Sequence, residues 1–201
     1  MIALAHCTIR YFVFKDRIMV EKVFITAQQL LEDSFSLGHQ IIESGFHPNY
    51  IVGIWRGGTP VGIAVQELLH YHGYPSDHIS IRTSSYEGIE KQRKDVRVHG
   101  LHYIIENVNA EDSLLIVDDV FDSGRSIQAV IDRIESVSRR NMPQTIRIAT
   151  VYYKPAKRVV ECTPDYFIHE VDEWLIFPHE LNGLNREEVA QNKPKALADG
   201  G

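Results

Sequence analysis

The stretch Ser113-Leu114-Leu115-Ile116-Val117, met at once by Asp118-Asp119, constrains this chain more than any other. A near-continuous apolar run of this length reads as a strand buried on both faces, which places it inside a parallel sheet covered by helices. The strand is expected to stop at Asp118-Asp119. A short turn through Asp122, Ser123 and Gly124 then leads to a helix expected from about Ser126 to Arg140. The unit recurs earlier: Ile51-Val52-Gly53-Ile54 ends in Arg56-Gly57-Gly58-Thr59-Pro60, after which Val61, Ala64, Val65, Leu68 and Leu69 repeat at helical spacing. Strands alternating with helices predict an α/β fold with a parallel sheet flanked by helices. Ligands then bind beyond the carboxyl ends of the strands, where both glycine turns fall.

The remaining elements fit that frame. Val23-Phe24-Ile25 leads into Thr26, which can cap a helix running to about Gly45, with Gln29 placed to reach back to it. His78 to Thr83 alternates as a strand, and Thr145–Tyr153 and Tyr166–Ile168 supply further strands. From Ser84 to His99 the chain loses apolar content and gathers Glu87, Glu90, Lys91, Arg93, Lys94, Asp95 and Arg97, which reads as a long mobile loop. Residues 1–22 are expected to be a dispensable extension ahead of a domain spanning 23–190, with a small lobe mainly at 154–181 and a flexible tail at 191–201.

Composition limits the classes of function. The 201 residues suffice for a sizeable core, and 44% hydrophobic with 24% charged content is that of a globular domain. A net charge of −6 argues against a chain that coats nucleic acid or an anionic membrane. His6, Arg10, Lys15 and Asp16 break up the apolar start too often for a signal peptide or membrane span. The two cysteines, Cys7 and Cys162, lie far apart with no close second ligand, so a reduced, cytoplasmic setting is expected.

The acidic pair and its loop carry the chemistry. A helix amino end offers unpaired amides and a positive dipole, Gly124 lets the backbone approach an anion, and the hydroxyls of Ser123 and Ser126 add hydrogen bonds. Such a loop holds a phosphate. Asp118 and Asp119 cannot ligate that phosphate, since like charges repel, so they are expected to hold hydroxyls or a metal beside it. Arg56-Gly57-Gly58 sits equivalently between strand and helix, and would serve either as an anion loop or as a plain turn with Pro60 in the first helical turn.

From Leu114 through Ser126 the sequence resembles the ribose-phosphate motif of the type I phosphoribosyltransferases: apolar strand, two acids, a spacer, then acid, hydroxyl, glycine and hydroxyl. The resemblance implies that Asp118 and Asp119 face the ribose hydroxyls of 5-phosphoribosyl 1-pyrophosphate, and that Asp122, Ser123, Gly124, Arg125 and Ser126 wrap its 5-phosphate. It makes Asp122 the proton acceptor of the reaction. Arg56, Gly57 and Gly58 resemble the pyrophosphate loop of the purine branch, the xanthine-guanine and hypoxanthine enzymes, and Ser84, Ser85 and Tyr86 resemble the opening of its lid. Lys154, in Tyr153-Lys154-Pro155, resembles the lysine that meets the exocyclic oxygen of a 6-oxopurine.

Glu173-Trp174-Leu175-Ile176-Phe177-Pro178-His179-Glu180 is similar to that branch's base-side segment. By this resemblance Trp174 stacks on the base, although an indole is equally at home in a core. Leu175 offers backbone groups, while Glu180 and Asp118 approach Mg2+. Glu180 departs from the family's usual aspartate. The implied activity is a Mg2+-dependent purine phosphoribosyltransferase whose partners are 5-phosphoribosyl 1-pyrophosphate and a purine base, in a homodimer or tetramer. The competing reading is a regulator of the same fold that binds nucleotide or RNA, or a transferase for another base.

Overall fold

The computed structural model describes residues 10–15, 18–87, 94–194 and 197; Cys7 lies outside them. In chain order the elements are β1 (Arg10–Lys15), β2 (Ile18–Phe24), α1 (Ala27–Glu43), β3 (Tyr50–Trp55), α2 (Gly58–Tyr71), β4 (Asp77–Glu87) and β5 (Lys94–His99). They continue as α3 (His102–Asn107), β6 (Ser113–Phe121), α4 (Arg125–Ser138), β7 (Thr145–Tyr153), β8 (Tyr166–Glu170), β9 (Trp174–Ile176) and α5 (Arg186–Asn192). The chain divides into two compact units, Leu31–Asp172 and the flanking residues up to Leu30 together with those from Glu173. The span 154–181 expected for a small lobe is therefore shared between them.

The larger unit is built on a six-stranded sheet of order β5-β4-β3-β6-β7-β8, parallel except for the β4–β5 pair. Ile51, Val52 and Leu114 to Val117 have no exposed surface, as strands covered on both faces require. Leu114 and Ile116 share a core with Ile104 of α3 and with Ile127, Val130 and Ile134, the buried stripe of α4. By alternation Leu115 and Val117 face the opposite side, where α2 packs on β3 and β6.

Two expectations need correction. β6 does not stop at Asp118-Asp119 but runs to Phe121, because β7 keeps pairing with it through Phe121↔Tyr153 and satisfies the extra backbone groups. The segment from Ser84 to His99 is not a loop throughout: Ser84–Glu87 completes β4, and Arg82–Glu87 pairs antiparallel with Lys94–His99. The alternation Val96-Arg97-Val98-His99 is a strand signature that the charge of the whole window hides. Charged side chains are at home on such an edge strand, where they discourage pairing with another chain. Glu90, Lys91 and Arg93 lie outside the described residues.

In the smaller unit β2 pairs antiparallel with β1 and parallel with β9, in the register Lys22↔Trp174, Val23↔Leu175 and Phe24↔Ile176. β2 thus runs across the boundary expected at residue 22. Thr26 caps α1 by accepting a hydrogen bond from the Gln29 amide at 3.1 Å. Lys193, placed in the tail by sequence, is buried. No helix among the described residues is long and apolar enough to cross a membrane.

Candidate active site

β6 outlasts its neighbour. Its pairing with β3 ends at Gly53↔Val117, so Asp118 and Asp119 lie beyond the paired stretch, and Gly57 and Gly58 of the turn after β3 pack against them. The fit leaves no room for side chains. A Cβ on Gly58 would stand 2.3 Å from the Val117 carbonyl oxygen and 2.8 Å from Asp118 Cα, and one on Gly57 would stand 1.8 Å from Asp119 Oδ2. Gly57 has φ −67°, so close approach, not backbone conformation, demands glycine there. Thr59 hydrogen-bonds back to the Arg56 carbonyl at 3.2 Å, and its hydroxyl donates to Ser80 Oγ at 3.3 Å, tying the turn to β4.

Burial, and then the adjacent charge of Asp119, push the Asp118 carboxyl well above the usual carboxylate range. The Asp119 amide at 3.0 Å and the Gly58 amide oppose that rise by donating to it. Asp119 in turn accepts from the Val120 amide at 2.8 Å. Two crowded acids with their amides already turned inward suit a partner that brings hydroxyl donors or a cation.

The second loop shares Asp118 with the first. Gly124 adopts φ +78°, and a Cβ on it would lie 2.4 Å from Val160 Cγ2 and 2.6 Å from Phe121 Cζ. α4 starts at the next residue, and Asp118, Val120, Phe121, Asp122, Ser123, Gly124, Ser126 and Ile127 line a cavity of about 80 Å³ at its amino end. That is far below the several hundred Å³ of a whole-ligand pocket and suits one small anion. Thr83 Oγ1 donates to Ser126 Oγ at 3.4 Å, and the Val159 amide donates to the Ser123 carbonyl at 3.1 Å.

The chain after β7 brings the lysine here too. The Lys154 amide donates to the Phe121 carbonyl at 2.9 Å, and its buried Nζ lies 3.8 Å from Asp122 Oδ2. Asp122 keeps about half of its side-chain surface exposed. The expected phosphate loop, acidic pair, Arg-Gly-Gly turn and base-side lysine therefore gather at the carboxyl ends of the interior strands β3, β6 and β7 of the larger unit. Ser84 Oγ lies 3.5 Å from His99 Nε2, while Ser85 and Tyr86 take part in the β4–β5 ladder.

The base-side segment belongs to the smaller unit. Trp174 opens β9 with 55% of its surface exposed, which removes the core reading, while Leu175 is buried. Glu180 closes a turn on Phe177: its amide donates to the Phe177 carbonyl at 3.0 Å and its Oε2 accepts from the Phe177 amide at 3.0 Å. Among the described residues no three His, Cys, Asp or Glu converge as a protein-only metal centre. Paired carboxylates beside a phosphate loop do fit Mg2+, which takes most of its oxygens from water and substrate. Sequence reasoning missed Thr83 and Lys193, which carry no motif and act only through contacts made by folding.

A family model described as the phosphoribosyl transferase domain matches residues 25–182. The chain belongs to this family. It is 27% identical over 180 residues to the hypoxanthine-guanine phosphoribosyltransferase of Lactococcus lactis, covering 87% of this chain and 88% of that one. It is 26% identical over 180 residues to the enzyme of the same name from Streptococcus mutans, covering 87% and 91%. The crystal structure of a purine phosphoribosyltransferase from Pyrococcus horikoshii superimposes with a TM-score of 0.65 at 26% identity, over 82% of this chain and 97% of that one. The fold is thus the family's: a mostly parallel central sheet flanked by helices.

Proposed function

We propose that this phosphoribosyltransferase moves the phosphoribosyl group of 5-phosphoribosyl 1-pyrophosphate to a 6-oxopurine, giving the nucleoside monophosphate and pyrophosphate. One observation carries the reading: the Arg56–Gly58 turn packs directly on Asp118 and Asp119, and Asp118 also lines the small cavity of the Asp122–Ser126 loop at the start of α4. The hypoxanthine-guanine names of the relatives support the choice of base.

In this reading the loop Asp122–Ser126 holds the 5-phosphate, Asp118 and Asp119 hold the ribose hydroxyls, and Arg56, Gly57 and Gly58 hold the pyrophosphate. Lys154 donates to the 6-oxo group and so disfavours the amino group of adenine, while Trp174 stacks on the ring and Leu175 presents backbone groups to its edge. Asp122 takes the proton from the base nitrogen as that nitrogen displaces pyrophosphate at the anomeric carbon. Mg2+, held by Asp118 and approached by Glu180, would neutralise the leaving group. The lid beginning at Ser84-Ser85-Tyr86 keeps water from the ribosyl carbon. In this reading the enzyme acts in the cytoplasm as a homodimer or tetramer.

Pyrophosphate release tests this with Mg2+, 5-phosphoribosyl 1-pyrophosphate and, in parallel, hypoxanthine, guanine, xanthine, adenine, uracil and orotate. Turnover with one or more 6-oxopurines is expected. Turnover only with another base would discard the roles of Lys154 and Trp174. Silence with all six, in protein that binds 5-phosphoribosyl 1-pyrophosphate, would point instead to a nucleotide-binding regulator. Asp122→Asn should cut kcat and leave 5-phosphoribosyl 1-pyrophosphate affinity largely intact; an undiminished kcat would remove Asp122 from the base role.

A further inference from the structure

We propose that Lys193 is a positioning residue for purine binding: a buried clasp that fixes the backbone of the Trp174–Glu180 segment. The proposal rests on the base-side reading of that segment given above. Lys193 follows α5 and is 8% exposed. Its Nζ donates to the Phe177 carbonyl at 2.6 Å and is 3.4 Å from the Pro178 carbonyl. Phe177 is two residues past Leu175, and its carbonyl and amide also close the turn with Glu180. One ammonium group therefore holds the point where the base-stacking strand passes into the turn that carries the acid.

Burying an ammonium group merely to anchor a chain end is a costly choice, since an apolar side chain would fill the same space without the desolvation penalty. What the lysine supplies that a methionine would not is direction. Charge-assisted hydrogen bonds select one orientation of two successive carbonyls.

The lysine is itself aimed. Asn185 and Glu188 form a reciprocal capping box at the start of α5, each side chain accepting the other's amide at 2.9 Å. Glu188 also accepts from Lys22 Nζ at 2.7 Å, and Lys22 is the strand partner of Trp174. The Lys193 amide completes the helix by donating to the Val189 carbonyl at 3.0 Å. The segment is thus held at both ends, by β2 at Trp174 and by Lys193 at Phe177 and Pro178.

The test is steady-state kinetics of the full chain carrying Lys193→Met, which keeps the apolar stem and removes the donor. The KM for the 6-oxopurine should rise roughly tenfold, the loss expected of one charge-assisted hydrogen bond. The KM for 5-phosphoribosyl 1-pyrophosphate should stay within about twofold, because the phosphate loops belong to the other unit. Lys193→Arg, which keeps a donor, should recover part of the loss. Asn185→Ala, at an exposed position, loosens α5 without touching the segment and should raise the purine KM in the same direction by less; it decides the matter if Lys193→Met does not fold. An unchanged purine KM in these variants, or both KM values rising together, would overturn the proposal. Trp174→Ala, run alongside, separates the two ideas: if it raises the purine KM while Lys193→Met does not, only the clasp fails, and if it leaves the purine KM unchanged, the base-side reading itself fails.

Discussion

The two glycine turns of the larger unit need their glycines for different reasons. At the β6–α4 turn Gly124 has a positive φ, and it is also wedged against Phe121 and Val160. At the β3–α2 turn Gly57 has an ordinary φ, and Gly57 and Gly58 are needed because Val117, Asp118 and Asp119 of β6 stand where a Cβ would be. The first glycine is required by its own backbone and the second pair by a neighbour more than fifty residues away in the chain. A turn of the first kind shapes itself locally. One of the second kind takes shape only once the two strands lie side by side, so it ties the pyrophosphate-side loop to the acids that would meet the ribose.

The largest effect is expected from Gly124→Ala. An L-residue forced to positive φ, plus a methyl group driven into Phe121 and Val160, should cost about 2–4 kcal/mol in denaturant unfolding. Gly58→Ala meets backbone atoms that cannot rotate away, so α2 or β6 must shift, at about 1–2 kcal/mol. The affinity for 5-phosphoribosyl 1-pyrophosphate should fall with it. If Gly58→Ala proved harmless to both stability and affinity, the second turn would not depend on its neighbour and the contrast would collapse.

The same contrast explains what was legible in the sequence. The apolar run before Asp118-Asp119 and the hydroxyl-glycine-hydroxyl loop are local patterns, so the buried strand, the phosphate loop and the helix after it could all be read directly. The end of β6 could not, because its last residues, Val120 and Phe121, are held by β7, whose pairing no local pattern reveals. Nor could β5, where four charged or polar residues among six mask a short alternation. Arg56-Gly57-Gly58 looked equally like a plain turn because its reason for being glycine lies in another strand. Lys193 offered no signal at all, since a single lysine near a chain end is ordinarily solvated.

Gly57→Ala sharpens the comparison. Its methyl group would displace only the Asp119 carboxylate, a side chain that can rotate, so stability should change by less than about 1 kcal/mol. Turnover should nonetheless fall by roughly tenfold or more, because the displaced carboxylate is the one assigned to a ribose hydroxyl. Full activity in Gly57→Ala would mean that Asp119 need not hold its observed position.

The smallest effect, and one of opposite sign, is expected from Asp118→Asn. Burial and the charge of Asp119 raise the Asp118 carboxyl above its usual range, so the folded protein keeps a proton that the unfolded chain has already released. Between the ordinary carboxylate value near ~4 and the raised value, the folded state binds more protons, and stability falls as pH rises. Below that window both states are protonated and the contribution is fully present; above it the contribution is gone. Asparagine has no proton to lose and keeps an acceptor for the Asp119 and Gly58 amides. The variant should therefore match the parent at low pH and exceed it in stability towards neutral pH, while losing activity. Unfolding curves collected from acid to neutral pH would decide it. Parallel stability profiles for the two proteins would show that the folded site accommodates the Asp118 charge without cost, and the acids would then need no hydroxyl or cation to relieve them.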